Sequence, residues 1–282
     1  MKRRRFEETF FKGLMIGSLV LVGGSLAAIL LMITFRGAPA LSLSMLVQVP
    51  QGGYYLGRGG GIANAIVGSL FLSLGASILS LLLSLPIAFG LQREYLGKRL
   101  ARLTRISLDI LWGTPSIVYG AFGFIVMVYF GFSASLAGGI LALTLLMLPI
   151  MVRSSEEVIR MVPADLKEVA YGLGATRIET TVLVIFRQAL PGMVTGWLLA
   201  FGRGIGDAAS ILFTAGYTDN LPRSLFDPVA SLPLAVFFQV ATPIPEVQQR
   251  AYASALVLLI IVLLVSLGSR LMSRWCSRNV VK

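Results

Sequence analysis

The chain has 282 residues, 56% hydrophobic and 13% charged, with a net charge of +11 and a mean hydropathy of +0.84. Soluble domains run nearer half apolar and about a quarter charged, so this surplus reads as an integral membrane protein. With no His and a single Cys, Cys276, histidine acid–base chemistry, histidine or thiolate metal sites and an intrachain disulfide are excluded.

A helix crossing about 30 Å of hydrocarbon needs roughly 20 apolar residues, and six stretches qualify. The first holds 23 uncharged residues between Lys12 and Arg36. Its basic flank and the following Ala38-Pro39-Ala40 imitate a secretory signal, but the run exceeds the usual signal core of about 7–15 residues and reads as an uncleaved anchor. Phe6, Phe10 and Phe11 before it read as interfacial anchors. The second span lies between Arg58 and Arg93, after Gly59-Gly60-Gly61; no Gly-Lys-Ser/Thr follows, so these glycines cradle no phosphate. From Ile110 to Val152 there are 43 uncharged residues, divided at Gly131-Phe132-Ser133 into spans three and four. Thr114-Pro115-Ser116 removes a backbone hydrogen bond early in span three and predicts a kink, serving either packing or a lined path. Asp109, just before it, reads as a solvated helix cap. The fifth span covers about 192–214 and the sixth lies between Arg250 and Arg270. Five prolines between Tyr217 and Arg250 read as an extracytoplasmic connection.

Every Lys and Arg except Arg36, Arg58, Arg203, Arg223 and Arg250 falls on one side of these six spans. Cytoplasmic loops carry that excess, so both termini are expected in the cytoplasm. Residues 1–12 then form a cytoplasmic segment, 13–270 the membrane domain and 271–282 a cytoplasmic tail. The charge reflects topology and calls for a lipid bilayer, not a nucleic acid. No nucleotide-hydrolysis motif, nucleophile–base pair or metal cluster is visible, so no enzyme activity and no cofactor are expected.

Arg203 falls at the middle of span five. An Arg there costs at least about 2.5–3.5 kcal/mol and should face protein or water. Asp207, one turn on, shares its face. The pair reads either as an ion bridge between spans or as part of a substrate path. Gly202, Gly204 and Gly206 clear side chains from around it, for close packing or for an ion.

The loop 153–191 between spans four and five is the most patterned. Ser154-Ser155-Glu156-Glu157 predicts a capping box and a short helix to Met161, stopped before Pro163. Asp165-Leu166-Lys167-Glu168 predicts a second, ended by Gly172 and Gly174. Two short helices at an angle make either a knob for a partner or a polar connector.

Glu168-Val169-Ala170 with Gly174 resembles the "EAA" loop of permease subunits in ATP-binding-cassette importers, although Leu190-Pro191 falls four residues later than in the family pattern. Gly60-Gly61-Ile62-Ala63-Asn64-Ala65-Ile66-Val67-Gly68, Gly113-Thr114-Pro115-Ser116-Ile117-Val118-Tyr119-Gly120, Arg203-Gly204-Ile205-Gly206-Asp207-Ala208-Ala209 and Leu212-Phe213-Thr214-Ala215-Gly216 are similar to segments of phosphate importer permeases, most of all the A-type. The likeness covers nearly all of the chain from Gly60 to Gly216, with Asp207 where the family usually has Glu. The resemblance implies an all-α polytopic fold of type I importer permeases in a bacterial inner membrane. It implies half of a pathway for inorganic phosphate, with a homologous C-type permease, a cytoplasmic ATPase dimer and an extracytoplasmic phosphate-binding protein as partners. Asp165, Glu168, Ala170, Gly172 and Gly174 would couple to the ATPase; Arg203, Asp207, Thr114 and Ser116 would line the path. Sulfate or molybdate is the alternative cargo, and a secondary carrier or channel the alternative class. The loop discriminates, since a channel needs no grip for an ATPase.

Overall fold

Apolar runs become helices in a bilayer because the chain must satisfy each backbone N–H and C=O internally. The computed structural model describes residues 2–54, 59–92 and 94–276. Helix α1 spans Lys2–Gly37, α2 Leu43–Val47, α3 Ala63–Gly90, α4 Lys98–Gly113, α5 Ser116–Tyr129 and α6 Leu136–Met161. They are followed by α7 (Ala164–Gly172), the single turn α8 (Arg177–Glu179), a π-helical turn over Thr180–Ile185, α9 (Phe186–Ile205), α10 (Leu232–Val240) and α11 (Pro245–Cys276). Arg58, Arg93, Arg278 and Lys282, with the last half of the expected tail (277–282), lie outside the described residues. Among the described residues five helices are long and apolar enough to cross a bilayer, and α4 and α5 meet that measure only together, as a bent pair.

Helices α3, α6 and α9 form the centre. α3 buries Leu72 and Ala76 together with a row of serines, Ser69, Ser73, Ser77, Ser80 and Ser84. Small side chains let membrane helices approach closely where no hydrophobic effect drives them together. Ser77 and Ser84 donate back to the Leu74 and Leu81 carbonyls at 3.0 and 3.2 Å, which satisfies their hydroxyls locally. Facing them are Leu143, Met147 and Met151 of α6 and Ala200, Phe201 and Ile205 of α9. From Glu7 onward α1 stays largely exposed, with Gly37 buried where the helix leans on α11. A Cβ at Gly37 would lie 2.6 Å from the Tyr252 carbonyl oxygen, so only glycine permits that crossing.

The structure departs from the sequence pattern at four places. Span three is broken, not kinked: α4 and α5 meet at 102°. Pro115 offers no N–H, so α4 closes with the Thr114 N–H on Leu111 (3.2 Å) and α5 begins afresh. Asp109 caps nothing; it stands inside α4, exposed, paired with Arg153. Second, the box at 154–157 opens no helix, because α6 runs unbroken to Met161 and Glu156 turns inward to arginines. Third, the box at 165–168 does not form: Pro163 precedes α7 with no side-chain cap, and a capping box appears instead at Thr176 and Glu179.

Fourth, span five ends at Ile205 rather than near Thr214. The stretch beyond it is irregular yet buried, with Asp207, Ser210, Ile211, Thr214, Ala215 and Val229 all sequestered. The proline-rich connection is therefore partly core. Its backbone groups find protein partners, as burial requires. Thr214 and Ala215 carbonyls accept from Ser135 and Val229 N–H at 2.8 and 2.9 Å. The carbonyls of Asp227 and Leu225 accept the otherwise orphaned first N–H groups of α6, from Leu136 and Ala137, both at 2.8 Å.

Candidate functional site

The knob is built from α7 and its exit. Gly174, at φ +84, takes the left-handed conformation that closes a helix. Its N–H donates to Tyr171 at 2.9 Å and that of Ala175 to Ala170 at 3.0 Å, the two bonds of a Schellman motif. Ala170 is buried against the body, while Asp165, Glu168, Gly172 and Gly174 are exposed. Around them Val169, Leu173 and Ile178 expose 61%, 84% and 69% of their surface, an apolar patch on a polar knob. Such patches mark contact surfaces.

A clasp from between α3 and α4 fixes the knob. Glu94 Oε1 lies 3.1 Å from Lys167 Nζ, and Glu94 Oε2 accepts from the Tyr171 hydroxyl at 3.3 Å. Arg177 donates to the Glu94 backbone carbonyl at 3.0 Å. The Tyr95 hydroxyl donates to the Arg177 carbonyl at 2.9 Å and sits 2.6 Å from Thr181 Oγ1. Partial desolvation, and after it the Glu94 charge, pushes the Tyr171 phenol above its ordinary pKa. Glu94 and Tyr95 follow no local pattern, so sequence reasoning passed over them.

Below the knob, the buried Glu156 collects three arginines. Arg105 Nη2 is 2.8 Å away, Arg160 Nη2 2.6 Å and Arg153 Nη1 3.5 Å. Arg105 comes from α4, so this carboxylate pins α4 to α6. Nothing in the local Ser-Ser-Glu-Glu pattern signals that role.

Arg203 lies in the last turn of α9 and Asp207 just past its end. Arg203 Nη1 is 3.7 Å from Asp207 Oδ1; the arginine side chain is 54% exposed and the carboxylate only 5%. Asp207 Oδ2 accepts the Ser210 N–H at 2.8 Å, which holds the turn and leaves Oδ1 toward the guanidinium. The Ser210 hydroxyl is buried without a hydrogen-bond partner among the described residues, a donor that sequence reasoning did not single out. The three glycines divide in role. A Cβ on Gly204 would sit 2.6 Å from Met147 Sδ, so that glycine serves packing, whereas Gly202 faces open space and Gly206 nearly so.

Thr114 and Ser116 make no hydrogen bond to Arg203 or Asp207 among the described residues. The Thr114 hydroxyl returns to Ile110 at 2.7 Å, as a helix-end residue does. The start of α5 nevertheless abuts the same turn, since a Cβ on Gly120 would meet the Ala209 and Ser210 carbonyl oxygens at 2.8 Å each.

The family described as "binding-protein-dependent transport system inner membrane component" matches residues 80–282. The chain is 35% identical over 236 residues to the "Phosphate transport system permease protein PstA" of Xylella fastidiosa (strain 9a5c), covering 83% of this chain and 81% of that one. It is 36% identical over 212 residues to "Phosphate transport system permease protein PstA 1" of Mycobacterium tuberculosis (strain CDC 1551 / Oshkosh), covering 74% and 69%. Among solved structures, it resembles a chain of the inward-facing MetNI methionine ABC transporter with a TM-score of 0.63 at 19% identity, covering 77% of this chain and 96% of that one. A chain of an amino acid ABC transporter with histidines gives 0.59 at 18% identity, covering 83% and 99%. At such identities the likeness is one of fold.

Proposed function

The chain belongs to the family of inner membrane components of binding-protein-dependent transport systems, and from that premise we propose that it is the A-type permease subunit of an ATP-driven importer of inorganic phosphate. It works as a multi-pass inner membrane protein alongside ATP-binding subunits and a substrate-binding protein. A homologous C-type permease completes the pathway, and both termini face the cytoplasm. The knob at Asp165, Glu168, Ala170, Gly172 and Gly174 seats in the ATPase, through the exposed Val169 and Leu173.

One observation carries the cargo assignment. Arg203 presents a half-exposed guanidinium at the surface of the chain, anchored by a buried Asp207. A subunit that supplies half a pathway must carry its substrate contacts on its own surface, and a cation there suits an anion. A guanidinium donates in parallel to two phosphate oxygens, which a Lys ammonium does not reproduce. With the site empty, Asp207 balances Arg203. With phosphate present, the carboxylate accepts a hydrogen bond from the O–H that phosphate still carries near neutral pH, and sulfate has none to donate. Asp207 thus discriminates between the two anions. Thr114 at the end of α4 and Ser116 at the start of α5 border the path.

The test is labelled-phosphate uptake into vesicles with the partner subunits present and then withheld. Uptake that requires ATP and every partner supports the proposal. Uptake by the chain alone points to a carrier or channel, and uptake of sulfate or molybdate in preference to phosphate changes the cargo.

A further inference from the structure

Helix α4 has three chemically distinct faces. One is anchored: Ala101 and Leu108 are buried, and Arg105 reaches Glu156 on α6. The opposite face carries Leu100, Leu103, Ile106 and Ile110, exposed by 56%, 61%, 47% and 64%. On its polar flank and within the apolar edge stand Lys98, Arg102 and Arg99, all exposed and without an ion pair or hydrogen bond among the described residues. The 102° bend turns this 16-residue helix across the direction of α5, the helix that carries most of the apolar run of span three.

A helix lying across a span cannot leave an apolar edge in water, while the boundary of a bilayer serves both of its faces. Acyl chains take the leucines and isoleucines, and long cationic side chains snorkel out to the phosphates. The excess of Lys and Arg on this side assigns it to the cytoplasmic leaflet, which carries anionic lipid. We propose that α4 lies flat in the cytoplasmic leaflet boundary and binds anionic phospholipid headgroups through Lys98, Arg99 and Arg102. Because Arg105 ties α4 to α6 and Pro115 hands α4 on to α5, bound lipid fixes where span three begins.

The experiment reads Trp112, 58% exposed near the end of α4, in full-length chain carrying Trp197→Phe and Trp275→Phe. The chain, alone and in the assembled importer, is placed in nanodiscs containing equal mole fractions of brominated phosphatidylglycerol or brominated phosphatidylcholine. Quenching should be stronger with brominated phosphatidylglycerol, and Lys98→Gln, Arg99→Gln and Arg102→Gln should each reduce that preference about fivefold. Equal quenching by both lipids overturns the headgroup preference. Quenching of the chain alone that vanishes in the assembled importer means a partner subunit covers α4, and also overturns the proposal. A second arm needs no tryptophan changes: phosphatidylglycerol retained by detergent-purified wild-type protein should be enriched over the bulk membrane and lose that enrichment in the triple Gln variant. No enrichment in the wild type overturns the proposal, whichever anion the importer carries.

Discussion

Around α7 the backbone faces water and is pinned from outside, by Glu94 and Tyr95 reaching over from the loop between α3 and α4. After α9 an equally irregular stretch, 206–216, is pinned from inside, by Asp207 on Ser210 and by Thr214 on Ser135. The knob keeps its apolar side chains exposed, as a surface awaiting a partner does. The turn after α9 buries Asp207, Ser210, Ile211, Thr214 and Ala215 while the guanidinium of Arg203 beside it stays half-exposed. A helix that ends in water needs only a glycine and a few hydrogen bonds. One that ends inside a membrane protein must find protein partners for each freed backbone group, and so enlists residues far away in sequence.

Gly174→Asp should have the largest effect and tests the knob directly. Nothing lies within 4 Å of a Cβ at this position, so packing is unharmed. The left-handed φ costs about 1–2 kcal/mol for a side-chain-bearing residue, and the charge falls on the proposed docking face. Uptake should be abolished while the purified protein unfolds only a few degrees lower; normal uptake in vesicles would reduce the knob to a connector. Glu156→Ala tests the buried support beneath it. It should cost about 3 kcal/mol, the low end for breaking a buried ion pair because its arginines keep access to water, as read from thermal unfolding in detergent.

The turn after α9 is tested by Arg203→Lys, which keeps the charge but loses the forked donor. Uptake should fall about tenfold, as expected for one charge-assisted hydrogen bond. Asp207→Asn should raise competition by sulfate against labelled phosphate about tenfold, in a binding-protein-independent complex. If neither variant changes transport, the pair is a structural bridge and the contrast between knob and turn loses its functional half.

The smallest effect lies at the outer end, where burial pushes the Tyr54 phenol from 10.0 to about 12. The folded protein holds this phenol neutral, so its contribution is complete below 10.0 and is lost as pH rises toward about 12. About one pH unit above the ordinary value, the wild type should be weakened by about 1 kcal/mol relative to Tyr54→Phe in denaturant melts. Equal pH profiles for the two proteins would remove this buried contact from the picture.

Much of the fold was legible because it rests on composition and local pattern. The runs at 13–35 and 63–90 become spans wherever hydrocarbon is the solvent, and Gly174 closes α7 because only glycine takes its conformation without strain. The capping boxes misled for a physical reason. Ser154-Ser155-Glu156-Glu157 satisfies a local rule, yet continuing α6 keeps its backbone bonds and delivers Glu156 to three arginines, a gain from residues as distant as Arg105. Of the candidate site, Arg203 and Asp207 stood out as charges in an apolar stretch. Ser210, Glu94 and Tyr95 did not, because a serine or a loop Glu-Tyr acquires its meaning only from what folds against it.

The sequence by itself determined that this chain is membranous, helical and crosses about six times, because hydropathy and the positive charge of one side are sums over residues that need no neighbours. Only the tertiary structure decided that span three breaks by 102° at Pro115, that span five stops at Ile205, and that the proline-rich connection returns into the core. Each of those outcomes depends on whether freed N–H and C=O groups find partners. Those partners, at the N-terminus of α6 and on 225–229, are supplied by chain segments that no local window contains.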